Sequence, residues 1–123
     1  MHEYSMAVRL VDTVLREAKK RNSKKVLEVH LLVGRLSLLG HEQLRFWYKT
    51  LGKGTIIEGS KLRISVEKAE VSCGNCGYRG PIHFEEGLYD HIVFPTLRCP
   101  RCGSFVEVVK GRDCLIKSIR MVA

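Results

Sequence analysis

The sequence is poor in long apolar runs: nothing in its 123 residues approaches the roughly 20 consecutive apolar side chains of a membrane-spanning helix. It also lacks the apolar start of a secretory signal, because His2, Glu3 and Arg9 stand where that run would fall. A soluble, cytoplasmic protein with no membrane partner is the expectation. There is no low-complexity segment and no internal repeat apart from a pair of Cys-x-x-Cys motifs. Aromatic residues are 7% of the chain and sparse around those motifs, which argues against a surface for stacking nucleobases. The five cysteines would leave one unpaired in an extracellular disulfide framework, and no signal peptide accompanies them, so metal ligation is the better reading.

What is present suits one ordinary domain with a smaller module attached, since 45% hydrophobic content is enough for a packed core. The 21 Lys and Arg against 13 Asp and Glu give a net charge of +8, which brings nucleic-acid binding into consideration. Four thiolates closing on one zinc ion would lower that figure to about +6. The local cluster Lys19-Lys20-Arg21 and Lys24-Lys25 reads as a solvated helix end, where cations are favoured.

From Ser5 to about Arg21, Ala7, Leu10, Val11, Val14 and Ala18 recur at steps of three and four, which predicts an amphipathic helix ended by Asn22-Ser23. Val26 to Val33 then alternates, with Leu27, Val29, Leu31 and Val33 assigned to a buried strand face and Glu28 and His30 to the other. Gly40-His41-Glu42 opens a second helix through Leu44, Phe46, Trp47, Tyr48 and Leu51, whose aromatics are expected to pack on the sheet. Leu62, Ile64 and Val66 mark a second strand, and Leu115 to Val122 a third. The expectation is an α+β fold, two helices on a small three-stranded sheet, with an inserted zinc-ribbon module. Residues 1–70 plus 113–123 would form the α/β domain and 71–112 the module, inserted before the last strand. The module has few large apolar side chains, so a metal is needed to hold it.

Cys73-Gly-Asn-Cys76 and Cys99-Pro-Arg-Cys102 are zinc knuckles by spacing: two intervening residues let both sulfurs face one point, and Gly74, Gly77 and Gly103 allow the tight turns. Cys73, Cys76, Cys99 and Cys102 complete a tetrahedral set with no open position, hence a structural zinc site and no catalysis. The 22 residues between Cys76 and Cys99 suggest a lengthened finger. Redox disulfides are the competing reading, but neither pair begins a helix after a strand. Cys114 reads as a small buried hydrophobe.

The other end of the chain offers nitrogen donors. The α-amino group of Met1, the imidazole of His2 and the amides of His2 and Glu3 are adjacent, and nickel(II) or copper(II) accepts planar nitrogen ligation that zinc does not seek. A merely solvated terminus is the alternative. His30 and His41 read as bystanders. His83 or His91, both between the knuckles, is a candidate further ligand, with His91 the choice.

Taken together, Met1-His2-Glu3-x-Ser5-Met6-Ala7, Gly34, Gly54-Thr55, Gly59, Cys73-x-x-Cys76-Gly77, Cys99-Pro-x-Cys102-Gly103-Ser104 and Gly111 resemble the HypA/HybF family of hydrogenase-maturation nickel metallochaperones, over nearly the whole chain. The segment between the knuckles is similar to the longer archaeal members, in which a histidine there can join the nickel site. The resemblance implies a nickel-binding α/β domain and a zinc ribbon, no enzymatic activity, and nickel as cargo delivered to the large subunit of [NiFe] hydrogenase with a HypB-type GTPase. It implies His2 as principal nickel ligand, Glu3 contributing its amide or orienting the site, and the four cysteines on zinc. A homodimer through the sheet edge is left open. The alternative is a nucleic-acid-binding zinc ribbon whose Arg79, Arg98 and Arg101 contact phosphates.

Overall fold

The structure, a computed structural model, describes residues 2–86 and 93–123, and the side chains of 3–82 and 97–123. In chain order its elements are α1 (His2–Lys20), β1 (Lys25–Gly34), a 3-10 turn (Arg35–Ser37), α2 (His41–Gly52), β2 (Lys61–Glu67), β3 (Glu70–Ser72), β4 (Arg79–Pro81), β5 (His83–Glu86), β6 (Val93–Thr96), β7 (Glu107–Lys110) and β8 (Cys114–Val122). They form two compact units, Met1–Val33 with Leu38–Ser65 and Cys114–Ala123, and Gly34–Ser37 with Val66–Asp113. The class is α+β. Among the described residues, no helix is long and apolar enough to cross a membrane.

In the first unit, α1 buries the apolar stripe Ala7, Leu10, Val11, Val14 and Ala18. It stops because Asn22 adopts a left-handed φ of 52°, while the Asn22 N–H donates to the Lys19 carbonyl at 3.2 Å and the Ser23 N–H to that of Ala18 at 2.9 Å. That bond pair is a Schellman closure with Asn in the position glycine usually takes. The helices pack together, and Tyr4 meets Trp47 edge to face with ring centroids 4.9 Å apart.

The sheet of this unit runs β2-β1-β8, with β8 antiparallel to the central β1 from Lys25↔Val122 to Val33↔Cys114. A bulge between Val26 and Glu28 resets the alternation. Val26 is therefore buried and Leu27, assigned above to the buried face, is 39% exposed. The aromatics of α2 also divide: Tyr48 is buried beside Leu44, whereas Phe46 is 59% exposed. Phe46 lies two residues from both core positions, a half-turn away on the outer face.

The second unit has a three-stranded sheet, β4-β3-β7, and a β5-β6 hairpin placed between the two cysteine pairs. Its buried cluster is Ala69, Val71, Cys73, Ile82, Cys99 and Val106, with Leu36, Tyr78 and Val108 packed against it. Two backbones touch here. A Cβ on Gly34 would lie 2.3 Å from the Gly111 carbonyl, and one on Gly111, at φ 97°, would lie 2.6 Å from the Ala69 Cα. The Gly111 carbonyl accepts from the Leu36 N–H at 2.8 Å and its own N–H donates to the Glu67 carboxylate at 3.2 Å, so any side chain at either position would wedge this junction apart.

Candidate metal centre

Strand β3 runs into the first knuckle, and each knuckle closes with the same pair of backbone bonds. Cys73 N–H donates to the Tyr78 carbonyl at 2.7 Å and Gly77 N–H to that of Cys73 at 3.0 Å; Cys99 N–H donates to Ser104 at 2.7 Å and Gly103 N–H to Cys99 at 3.0 Å. Gly77 and Gly103 take φ of 79° and 77°, the left-handed conformation that lets the loop turn under the sulfurs. The consequence is convergence: the ligand atoms of Cys73, Cys76, Cys99 and Cys102 all lie within 4.8 Å of one another. Cys73 and Cys99 are buried while Cys76 and Cys102 are exposed.

Between the knuckles, the Cys73 and Cys102 sulfurs stand 3.6 Å apart and those of Cys76 and Cys99 3.5 Å. A disulfide would need about 2.05 Å. Four sulfurs at the usual Zn–S distance of about 2.3 Å stand about 3.8 Å apart, so number, donor type and spacing fit a tetrahedral zinc ion.

The surrounding dipoles favour thiolate. The Asn75 amide reaches the Cys102 sulfur at 3.5 Å, and with the Ser104 hydroxyl and amide it pulls the Cys102 thiol down to about 5. The Arg101 N–H donates to the Cys99 sulfur at 3.3 Å. For Cys99, burial opposes ionisation, but the amides of Cys102 and Arg101 outweigh it and its pKa falls. Cys76 goes the other way: the Tyr78 amide lowers it, yet desolvation and three neighbouring thiols push it up to about 12. Without a cation one thiol keeps its proton for its neighbours' sake; a divalent ion removes that constraint. Asn75 is a donor that spacing alone does not reveal, although an amide side chain inside a knuckle is a visible signal for it. Cys114 is half-buried against the first unit's core, where desolvation raises its pKa.

At the other end, α1 begins at His2. Met1, the His2 side chain and His91 lie outside the described residues, as does the side chain of His83, whose backbone belongs to β5. The Glu3 carboxylate accepts a hydrogen bond at 3.1 Å from the N–H of Gly40, the N-cap of α2, and this bond lowers its pKa. That tie spans 37 positions and nothing in the local sequence announces it. His30 is engaged with the Ser65 hydroxyl at 2.7 Å.

The positive charge is not spread evenly. The first unit carries 14 Lys and Arg against 6 Asp and Glu, the second 7 against 7, so the excess of +8 belongs wholly to the first. In the second unit Arg79 pairs with Glu70 at 3.0 Å, Arg98 lies 5.0 Å over the Phe105 ring and Arg101 lies 5.9 Å over that of Tyr78.

The family model described as "Hydrogenase/urease nickel incorporation, metallochaperone, hypA" matches residues 1–121. The chain is 40% identical over 122 residues to the hydrogenase maturation factor HypA of Methanothermobacter thermautotrophicus, covering 98% of this chain and 97% of that protein. It is 38% identical over 137 residues to the factor of the same name from Pyrococcus horikoshii, covering 98% and 96%. The solution structure of the Ni metallochaperone HypA from Helicobacter pylori shares the fold, with a TM-score of 0.67 at 23% identity and coverage of 98% and 97%. A family match over nearly the whole length, relatives covered almost end to end and a four-cysteine cluster of zinc-like geometry lead to one conclusion: this chain belongs to the HypA family of nickel-incorporation metallochaperones that serve hydrogenase maturation, proteins that carry a metal and catalyse no reaction.

Proposed function

We propose that the chain binds nickel(II) at its amino terminus and delivers it to the large subunit of [NiFe] hydrogenase in the cytoplasm, working with a HypB-type GTPase. The ligands are the α-amino group of Met1, the imidazole of His2 and the amides of His2 and Glu3, with His91 as an exchangeable further ligand. Cys73, Cys76, Cys99 and Cys102 hold a structural zinc ion. Residues 1–70 plus 113–123 are the nickel-binding domain, and 71–112 the inserted zinc ribbon.

The observation that carries this reading is the start of α1 at His2. The first four N–H groups of a helix have no intrahelical partner, so the amides of His2 and Glu3 can lose their protons to a metal without breaking the helix. Electrostatics agrees. A helix N-terminus repels a bare cation, but nickel bound by two deprotonated amides carries no net charge there. The Glu3 carboxylate, fixed to the Gly40 N–H, holds this first turn in place.

Binding must displace protons from the amine and the imidazole, whose ordinary pKa values are about 7.7 to 8.0 and about 6.5, so nickel affinity falls as pH drops through that range. The test is calorimetric titration of nickel into zinc-loaded protein with a free Met1, beside His2→Ala and an N-terminally extended form. One-site binding lost in both variants supports the terminus. Equal binding in all three sinks the proposal, and unchanged affinity in His91→Ala removes His91 from it.

A further inference from the structure

A groove of about 730 Å³ opens between α2 and β2 in the first unit. Both elements carry cations, on different faces: α2 covers the apolar face of the sheet, and Lys61 and Arg63 stand on the other, with Glu28. Arg45, Lys49 and Lys53 follow at steps of four along α2 and its C-cap, and Lys61 and Arg63 alternate along β2. Glu58 is the one acidic residue lining it, and its carboxylate is occupied by the Gly54 N–H at 3.1 Å. Arg63 is paired with Glu28 at 2.7 Å and Lys61 is attracted to the same carboxylate, whereas the ammonium groups of Lys49 and Lys53 have no ion pair or hydrogen bond among the described residues. In the other basic cluster Lys20 and Arg21 share Glu17, at 3.7 and 3.8 Å.

Leu62 and Ile64 point to the opposite face of β2 from Lys61 and Arg63, towards α2; Ile57 and Leu62 are core side chains, Ile64 is half-buried, and the Tyr48 hydroxyl is closed off by Ser60 at 2.6 Å. Strand β2 is an outer strand of its sheet, with β1 as its one neighbour. An outer strand presents backbone groups to any extended chain laid beside it. Here the Arg45 guanidinium donates to the Leu62 carbonyl at 3.4 Å, a long bond that an incoming amide can replace.

We propose that this groove is the docking site for an extended acidic segment of a partner protein, in which carboxylates alternate with apolar side chains. With the backbone on the edge of β2, alternation would place the carboxylates on the face of Lys61 and Arg63 and the apolar side chains beside Ile64, under a rim of Arg45, Lys49 and Lys53 whose charge adds to the attraction. A nucleic-acid strand fits less well, because binding it tightly calls for exposed aromatic faces and Tyr48 is 3% exposed.

The test titrates isotope-labelled, zinc-loaded protein with a capped peptide alternating Glu and Val, a peptide of the same composition with all Glu preceding all Val, and a poly-thymidine strand of equal charge. Binding is read by fluorescence anisotropy and mapped by amide shifts. The alternating peptide should bind best and shift residues 60–64. Lys49→Glu with Lys61→Glu should weaken it by about tenfold or more, against about threefold or less for Lys20→Glu with Lys117→Glu, which changes the net charge equally. All four positions are exposed, and matched thermal midpoints check the fold; Lys49→Gln with Lys61→Gln repeats the comparison without adding acid. Equal loss in both pairs, equal binding of the block-ordered peptide, tighter binding of the thymidine strand or shifts confined to other residues would each overturn the proposal. No nickel is used, so the result is independent of the metal reading.

Discussion

Among the described residues, the unit of α1, α2 and the β2-β1-β8 sheet buries 13 side chains in one cluster, with Leu31, Leu44 and Ile57 almost wholly enclosed. The unit of β3 to β7 buries six, two of them cysteines, and its largest fully buried side chain is Val71. The first can be held by apolar burial, at about 25 cal/mol for each Å² removed from water. The second cannot, and the four-sulfur cluster is what its sequence provides instead. Charge follows the same division, with the whole excess of +8 on the first unit and none on the second. A basic isoelectric point in a zinc-knuckle protein invites a nucleic-acid reading; here the basic surface and the knuckles belong to different units.

Metal removal should separate the two units most sharply. Treating the protein with a strong chelator under reducing conditions is expected to collapse the amide signals of residues 66–113 while those of α1, α2 and β1 stay dispersed, because binding and folding are one event in a metal-pinned module. Retention of dispersed signals from β3, β4 and β7 in metal-free protein would contradict it. The converse is Leu44→Ala. Truncating this fully buried side chain should cost the first unit about 3 kcal/mol, measured by denaturant unfolding, and leave metal affinity at the cysteines unchanged.

Gly34→Ala comes next. Its Cβ would fall 2.3 Å from the Gly111 carbonyl, so the junction must move and the second unit should lose about 2 kcal/mol. A variant as stable as the parent would show that the close approach relaxes freely. Asn75→Ala should act on the metal alone, weakening zinc by about tenfold through the lost donor to Cys102, as read by chelator competition.

The legibility of the sequence follows the same line between the units. Ala7, Leu10, Val11, Val14 and Ala18 announce α1 because a long period of 3.6 has room to repeat, and the knuckles announce the cluster because two residues between cysteines leave the sulfurs little choice. Leu27 departs from the expected face because a bulge is written in pairing, not in alternation. Phe46 departs from the expected packing because helical phase separates it from Tyr48, which a run of adjacent aromatics does not display. Strands β3, β4 and β7 have three or four residues each, too few to show a period. Gly34 and Gly111 could be noticed but not explained, since their reason is a contact 77 positions apart.

Glu3→Gln gives the smallest effect and divides two roles that one residue would combine. As a metal ligand in the proposed site Glu3 acts through its amide, which glutamine retains; as an anchor it acts through its carboxylate, which accepts the Gly40 N–H. That bond holds the folded pKa below the ordinary glutamate value. Its contribution is therefore present above the unfolded pKa of about 4.3 and is lost as pH falls through the lowered folded value. The thermal midpoint of the variant should lie slightly below the parent's at neutral pH, and the gap should close in acid. Nickel stoichiometry should remain at one site. Loss of that site would make the carboxylate itself a ligand, and a gap that does not change with pH would mean that the side chain anchors the helix by packing and not by charge.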